Sequence, residues 1–295
     1  EELQGEYPVD RPRRWQIEVL LSSNGAWFVV KVEDEFANMA DRLGYRKIKL
    51  LRTLETENTP DKLAEKIKKS SELRDGIIVY GHDYPVIHEA LAHCKNKGIP
   101  VVTLVSDLPD SHRFCHVGIN QYQAGRTAGL LMSQTMPAEG DVIMISGRSD
   151  FSAHIQRISG FRDAITQRAP WLHLREVLAG EDERQKIRTL LNQALQRSDS
   201  VVGLYNSGDN NSDISAVLQQ HQLAGRCCYI THELYDVTRQ LLQTGALSYT
   251  LDQNARQHAV LATDLLIRHL EHGFVPDLYQ DGRVELRIVT AENLD

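Results

Sequence analysis

Short apolar runs that stop abruptly at small polar residues recur along this chain, and between them the apolar residues fall at helical spacing. Ile17 to Leu21 ends in Ser22-Ser23-Asn24-Gly25, and Gly76 to Tyr80 ends in Gly81-His82-Asp83. Pro100 to Val105 ends in Ser106-Asp107, and Val201 to Tyr205 ends in Asn206-Ser207-Gly208-Asp209. Runs of this length and β-branched content, closed by turn formers and joined by no hairpin signal, read as buried parallel strands. Each connection must then carry a helix and cross over with a right hand. Ligands of such open sheets bind in the crevice beyond the carboxyl ends of the strands, which is where these polar residues fall.

The helical segments fill the gaps. Phe28, Val32, Phe36, Met39 and Leu43 share a face that stops at Gly44, and a second strand follows at Ile48 to Leu51. Thr59-Pro60 and Pro85 open two further helices. The pattern then repeats, with strands near His116 to Ile119, Val142 to Ile145, Leu174 to Leu178, Val201 to Tyr205 and Cys227 to Thr231, each followed by an amphipathic stretch. Leu247 to Leu251, a helix from Ala255 to about His272, and an apolar run from Val284 to Thr290 complete the chain. Two α/β halves of similar build result, as expected of 295 residues, a length at which one core begins to split into two.

Net charge narrows the partners. At −7, the chain carries no broad basic footprint for nucleic acid. No apolar stretch approaches the roughly 20 residues that span a bilayer. The four cysteines, Cys94, Cys115, Cys227 and Cys228, have neither CxxC spacing nor histidines at zinc-finger distances, so a metal cluster is not expected. They read as buried thiols and favour a reducing compartment. Residues 1–15 contain Pro8, Pro12 and the basic Arg11, Arg13 and Arg14, the composition of a linker; the segment before Glu1 is either a signal peptide or a further domain.

Residues at or just beyond the strand ends are the candidates for ligand contact: Asn24, Asp83, Asp107, Asn120, Arg148, Asn206, Glu233 and Gln253. Carboxylates accept hydroxyl hydrogens, amides donate and accept at once, and arginine offers a planar fork. Trp27 and Phe28 supply an apolar face for a sugar ring. The set fits a neutral polyhydroxylated ligand. Signals for chemistry are thin, with no GxGxxG after the first strand, no GxxxxGK[ST], no HExxH and no GxSxG elbow.

The order of these motifs resembles the type I periplasmic-binding-protein fold, and in particular the effector domain of LacI-type transcription regulators. The resemblance is carried by Val102 to Asp107, by Val117 to Ala128 with its Ala124-Gly125-Arg126-Thr127-Ala128 core, by Arg157 with Gly160-Phe161, by Tyr205-Asn206, by Thr231 to Leu234 and by Asp252-Gln253-Asn254. It implies two lobes joined by three hinge crossovers: 16–118 plus 253–275, and 119–252 plus 276–295, after a linker at 1–15. Hinges would lie near Asn120, Gln253 and Asp277. Arg157 would fork onto ring hydroxyls, with Asn206, Gln253 and Asp83 as further contacts. Glu233 and Asn120 stand where the family usually or often has aspartate. The function implied is that of an effector-binding domain, cytoplasmic, homodimeric and without catalysis, that binds a sugar or polyol. It would act on operator DNA through a helix-turn-helix absent from this chain. The alternative is the periplasmic sugar-binding protein of an ABC transporter. No cofactor, metal or membrane contact is expected.

Overall fold

The computed structural model describes residues 14–22, 26–44, 48–55 and 59–294. Asn24 and nearly all of the linker at 1–15 lie outside the described residues.

The first lobe alternates strand and helix: β1 (Trp15–Ser22), α1 (Trp27–Leu43), β2 (Ile48–Glu55), α2 (Pro60–Leu73), β3 (Gly76–Tyr80), α3 (Pro85–Asn96), β4 (Val101–Leu104) and β5 (Cys115–Val117). Its sheet has the order β2-β1-β3-β4-β5 and is parallel throughout. The second lobe follows with α4 (Gln121–Thr135), β6 (Gly140–Ser146), α5 (Ser152–Arg168), β7 (Leu172–Ala179), α6 (Arg184–Gln196), β8 (Val201–Asn206), α7 (Asn211–Gln220), β9 (Cys228–His232), α8 (Asp236–Thr244) and β10 (Tyr249–Asp252). The chain then returns through α9 (Ala255–His272) and ends with β11 (Arg287–Val289). The second sheet has the order β11-β10-β9-β8-β6-β7, parallel except for the antiparallel edge strand β11.

Each sheet is buried on both faces, which is why its strands read as unbroken apolar runs. In the first lobe, Ile17, Val19 and Ile78 pack with α1 and α9, while Leu20, Ile77 and Val79 face α2 and α3. In the second, Ile143, Leu204 and Tyr229 pack with α6 and α7, and Met144, Tyr205 and Ile230 face α4 and α5. Adjacent Cys227 and Cys228 fall in opposite layers of that lobe, as strand alternation requires.

Three crossings join the lobes. The first runs from Gly118 into α4, where the Asn120 side chain caps the helix by accepting from the Gln123 amide at 2.9 Å. The second leaves β10 through Gln253 and Asn254, the latter at φ 60° and capping α9. The third departs from the expected boundary at 275/276. Residues 278–284 stay with the first lobe, because His116 N donates to Leu278 O, Gly118 N to Gly282 O and Val284 N to Gly118 O, each at 3.0 Å. The chain crosses only between Val284 and Arg287. Asp277 is an exposed turn former whose carboxylate accepts from Tyr279 N and Gln280 N.

The glycines of the motif segment have a packing reason. A Cβ at Gly125 would lie 2.0 Å from the Arg157 carbonyl oxygen, and one at Gly160 would lie 2.1 Å from that of Tyr122. Helices α4 and α5 therefore cross with their backbones nearly touching. That crossing fixes Gln121 and Arg157 relative to each other.

Candidate ligand-binding site

Between the lobes lies a cleft of about 920 Å³, within the range of small-molecule sites. Phe28, Tyr80 and Val105 line it from the first lobe; Arg148, Phe151, His154, Arg157, Asp182, Ser207, Asp209, His232, Glu233 and Tyr235 line it from the second, and Gln253 lies at the hinge.

Its floor is a chain of buried hydrogen bonds across two crossings. Arg157 Nη1 donates to Ser207 O at 2.7 Å and Nε to Gln121 Oε1 at 2.7 Å. Gln121 Nε2 donates to Gln253 Oε1 at 2.9 Å and to Val105 O at 3.2 Å, and Gln253 Nε2 donates to Glu233 Oε1 at 2.7 Å. All four residues are buried. Glu233 Oε2 ends the chain with no partner, and so does Nδ1 of neighbouring His232. Burial pushes the Glu233 carboxyl up to about 8. Glu233 and Val105 hold φ values of 76° and 69°, in the left-handed region. For a β-branched valine that is a strained conformation, of the kind that concentrates at functional sites.

The mouth is closed by contacts between lobes. Trp27, at the first turn of α1, stacks on Tyr235 with ring centroids 5.2 Å apart. One turn later Lys31 Nζ donates to Leu234 O. On the other flank Asp83 N donates to Asp150 O at 3.2 Å, Tyr84 Oη donates to Asp150 Oδ2 at 3.2 Å, and Ser152 Oγ donates to Asp107 O at 2.9 Å. Burial would raise Asp150, but His82 and Arg148 more than offset it and hold the carboxyl well below its usual range.

Of the residues expected to contact ligand, Trp27, Phe28, Arg157, Glu233 and Gln253 come together at the cleft, and so does Arg148, paired with Asp150. Four others are used elsewhere. Asn206 is 1% exposed and its amide is spent on the turn after β8: Nδ2 serves Gly208 O, Asp209 O and Asn211 Oδ1, and Oδ1 accepts from Gly208 N. Asp107 is held at the hinge by Arg113 at 2.6 Å and by the Tyr279 hydroxyl at 3.1 Å. Asn120 caps α4. Asp83 is exposed and faces His88, at 2.7 Å.

Sequence reasoning missed Gln121, Asp182, Asp209, His232 and Tyr235. Gln121 directly follows Asn120, and its role shows only once α4 is set against α5. Asp182, at φ 59°, accepts from Arg148 N and Asp209 N and so ties three loops together. His154 sits between Ser207 and Asp182, an arrangement reminiscent of a nucleophilic triad, but its hydrogen bonds run the wrong way. Its Nδ1 lies 3.0 Å from the Ser207 carbonyl oxygen and 3.3 Å from the Ser207 hydroxyl, which is fully buried and accepts from Gly147 N. An Nδ1–H donated to that carbonyl leaves Nδ1 no lone pair for the hydroxyl.

Two lobes, three crossings and a polar cleft at the carboxyl ends of both sheets make the architecture of a two-lobed periplasmic-type binding protein. The chain belongs to the periplasmic binding protein domain family, whose model matches residues 17–273. It is 27% identical over 139 residues to the ribose import binding protein RbsB of Haemophilus influenzae, in a match that takes in 47% of this chain and 46% of that one. The chain thus spans about half the length of the curated relative it matches. Among solved structures it is similar to GanP, a glucose-galactose binding protein from Geobacillus stearothermophilus (TM-score 0.86, 20% identity, covering 96% of this chain and 99% of that one). A comparable likeness links it to an ABC transporter solute-binding protein from Burkholderia graminis in complex with D-arabinose (TM-score 0.86, 19% identity, 95% and 96% covered). At such identities the structures establish the fold alone.

These matches correct two expectations. Of the resemblance to LacI-type effector domains the matches support the shared fold, and the relatives named here are described as ribose import, glucose-galactose and ABC transporter solute-binding proteins. The cytoplasmic location is overturned, because the family is described as periplasmic and the curated relative as an import binding protein. Reduced cysteines misled here for a physical reason. All four are buried, in separate layers of the two cores, so they stay unpaired without help from a reducing compartment. Among the described residues no helix is long and apolar enough to cross a membrane.

Proposed function

We propose that this chain binds a sugar or polyol in the interlobe cleft and presents it to a membrane importer, by binding and closure without turnover. The observation that supports this most is the hydrogen-bonded chain Arg157–Gln121–Gln253–Glu233, which links two crossings, reaches the first lobe through the bond from Gln121 to Val105 O, and ends in a polar atom with no protein partner. A ligand hydroxyl placed there would satisfy that atom and touch the elements that move on closure. Phe28 and Phe151 offer the ring an apolar wall. The relatives named for ribose import and for glucose-galactose binding support the same ligand class. An importer takes the place that operator DNA and a second copy hold in the effector-domain reading.

A thermal-shift screen of the chain against pentoses, hexoses, polyols and their acids tests the proposal, since a ligand that binds only the folded state raises stability by RT ln(1 + [L]/Kd). A selective rise with one sugar class and no product in the same wells is expected. No rise with any of them would refute it.

A further inference from the structure

The floor of the cleft is charged and rich in donors. Arg157 is 4% exposed, yet its hydrogen bonds go to a carbonyl and an amide oxygen, and no carboxylate of the described residues lies within ion-pair distance. Burying a cation without an anion is costly. Next to it, the Tyr205 hydroxyl has His232 Nε2, at 2.7 Å, as its one partner; a buried phenol with one partner keeps its hydrogen bonded only by donating it, which assigns Nε2 as the acceptor. The neutral ring then carries its hydrogen on Nδ1, which is buried, unpartnered and part of a cleft-lining residue. Glu233 Oε2 is the second unpartnered buried atom of the same floor. With Glu233 protonated at neutral pH by its burial, that atom also belongs to a donor group. The acceptors of the same cleft are Asp182, 3.8 Å from His154, and Asp209, whose carboxylate accepts from Tyr235 Oη at 3.2 Å.

We infer that the ligand this cleft is built for is a sugar acid, its carboxylate on the floor against Arg157, His232 Nδ1 and Glu233 Oε2 and its hydroxyls toward Asp182 and Asp209. The inference rests on the sugar-binding reading and narrows it. A carboxylate matches in charge the one buried cation among the described residues that has no carboxylate at ion-pair distance, and its lone pairs accept from the two orphan groups. A neutral sugar would leave the arginine without a counter-charge.

The test is calorimetry on the whole chain with matched pairs: D-galacturonate against D-galactose, D-gluconate against D-glucose, D-ribonate against D-ribose. At least one acid is expected to bind ten times or more tighter than its neutral parent. In the double variant Tyr205→Phe/His232→Leu, which removes both partners of one hydrogen bond, the affinity for that acid should fall roughly tenfold or more. The neutral parent should lose less, so that the ratio of the two affinities narrows. A neutral sugar that binds as tightly as its acid overturns this inference and leaves the sugar-binding reading standing. Binding of a phosphate ester such as D-glucose 6-phosphate without binding of any acid also overturns it. Absence of binding throughout overturns both.

Discussion

Trp27 and Tyr235 belong to opposite lobes, yet their rings lie 5.2 Å apart and within 20° of parallel. The Tyr235 hydroxyl in turn donates to Asp209 and accepts from Asn211 Nδ2, so the lower half of the stack is fixed to the second lobe. Trp27 is 43% exposed and thus spends its face on the other lobe, not on its own core.

An aromatic pair contributes about 0.5–1.5 kcal/mol beyond its burial, or roughly a two- to tenfold change in an equilibrium. Trp27→Ala should therefore shift the ligand-free protein toward the open form by that factor. Small-angle scattering is expected to show a larger radius of gyration at an unchanged melting temperature. A large loss of melting temperature, with no change in dimensions, would assign Trp27 to the core.

Gly125 governs how closely α4 approaches α5. Because an added Cβ would meet the Arg157 carbonyl oxygen at 2.0 Å, Gly125→Ala must push the backbones apart, at a cost of about 1–3 kcal/mol. The same displacement separates Gln121 from Arg157, so ligand affinity should fall with stability. Denaturant unfolding and calorimetry on one preparation check both. Unchanged affinity in a destabilised variant would detach the floor from the helix crossing.

What the sequence made legible follows from period and punctuation. Buried parallel strands announce themselves as apolar runs, and the turn formers after Val105 and Tyr205 mark strand ends that the structure places along the cleft. Arg157 was marked only by the resemblance to the periplasmic-binding-protein fold, and Gln253 by that resemblance and by its place just beyond a strand. Asn206 was misread because a turn needs the same residue type as a ligand does: its amide closes the loop 208–211. His232 and Tyr235 were invisible because their roles depend on partners far away in sequence, Tyr205 and Trp27. The late third crossing was equally hidden, since residues 278–284 reach the first lobe through backbone groups, which any side chain can supply.

The four cysteines are buried, and burial pushes Cys94 and Cys228 up to about 11 and Cys115 and Cys227 up to about 12. Thiolate is the reactive form, so native protein at pH 8 should leave a disulfide reagent unreacted, and all four thiols should appear on unfolding. Rapid titration of even one thiol in the native state would contradict the packing described.

Stability should peak near pH 6.5. Burial pushes His116, His154 and His258 each down to about 4 from an ordinary 6.5, so the unfolded chain takes up protons that the folded one refuses. Their contribution is complete above pH 6.5 and is lost as pH falls toward 4, on the order of 2 kcal/mol for each at pH 5. Glu233 runs the other way. Pushed up to about 8 from 4.5, it keeps a proton that the unfolded chain releases, so its contribution is complete below 4.5 and is lost as pH rises through 8. Below pH 6.5 three histidines outweigh one glutamate; above it Glu233 dominates, and Asp209, raised by burial, adds to it. Urea midpoints at pH 5, 6.5 and 8.5 should therefore pass through a maximum, with the larger drop on the acid side. The substitution Glu233→Gln should flatten the alkaline limb and steepen the acid limb, because from pH 4.5 upward the proton that Glu233 gives up on unfolding opposes the histidines. A midpoint that climbs steadily to pH 8.5 would mean that Glu233 is already ionised at neutrality, with Arg157 as its counter-charge.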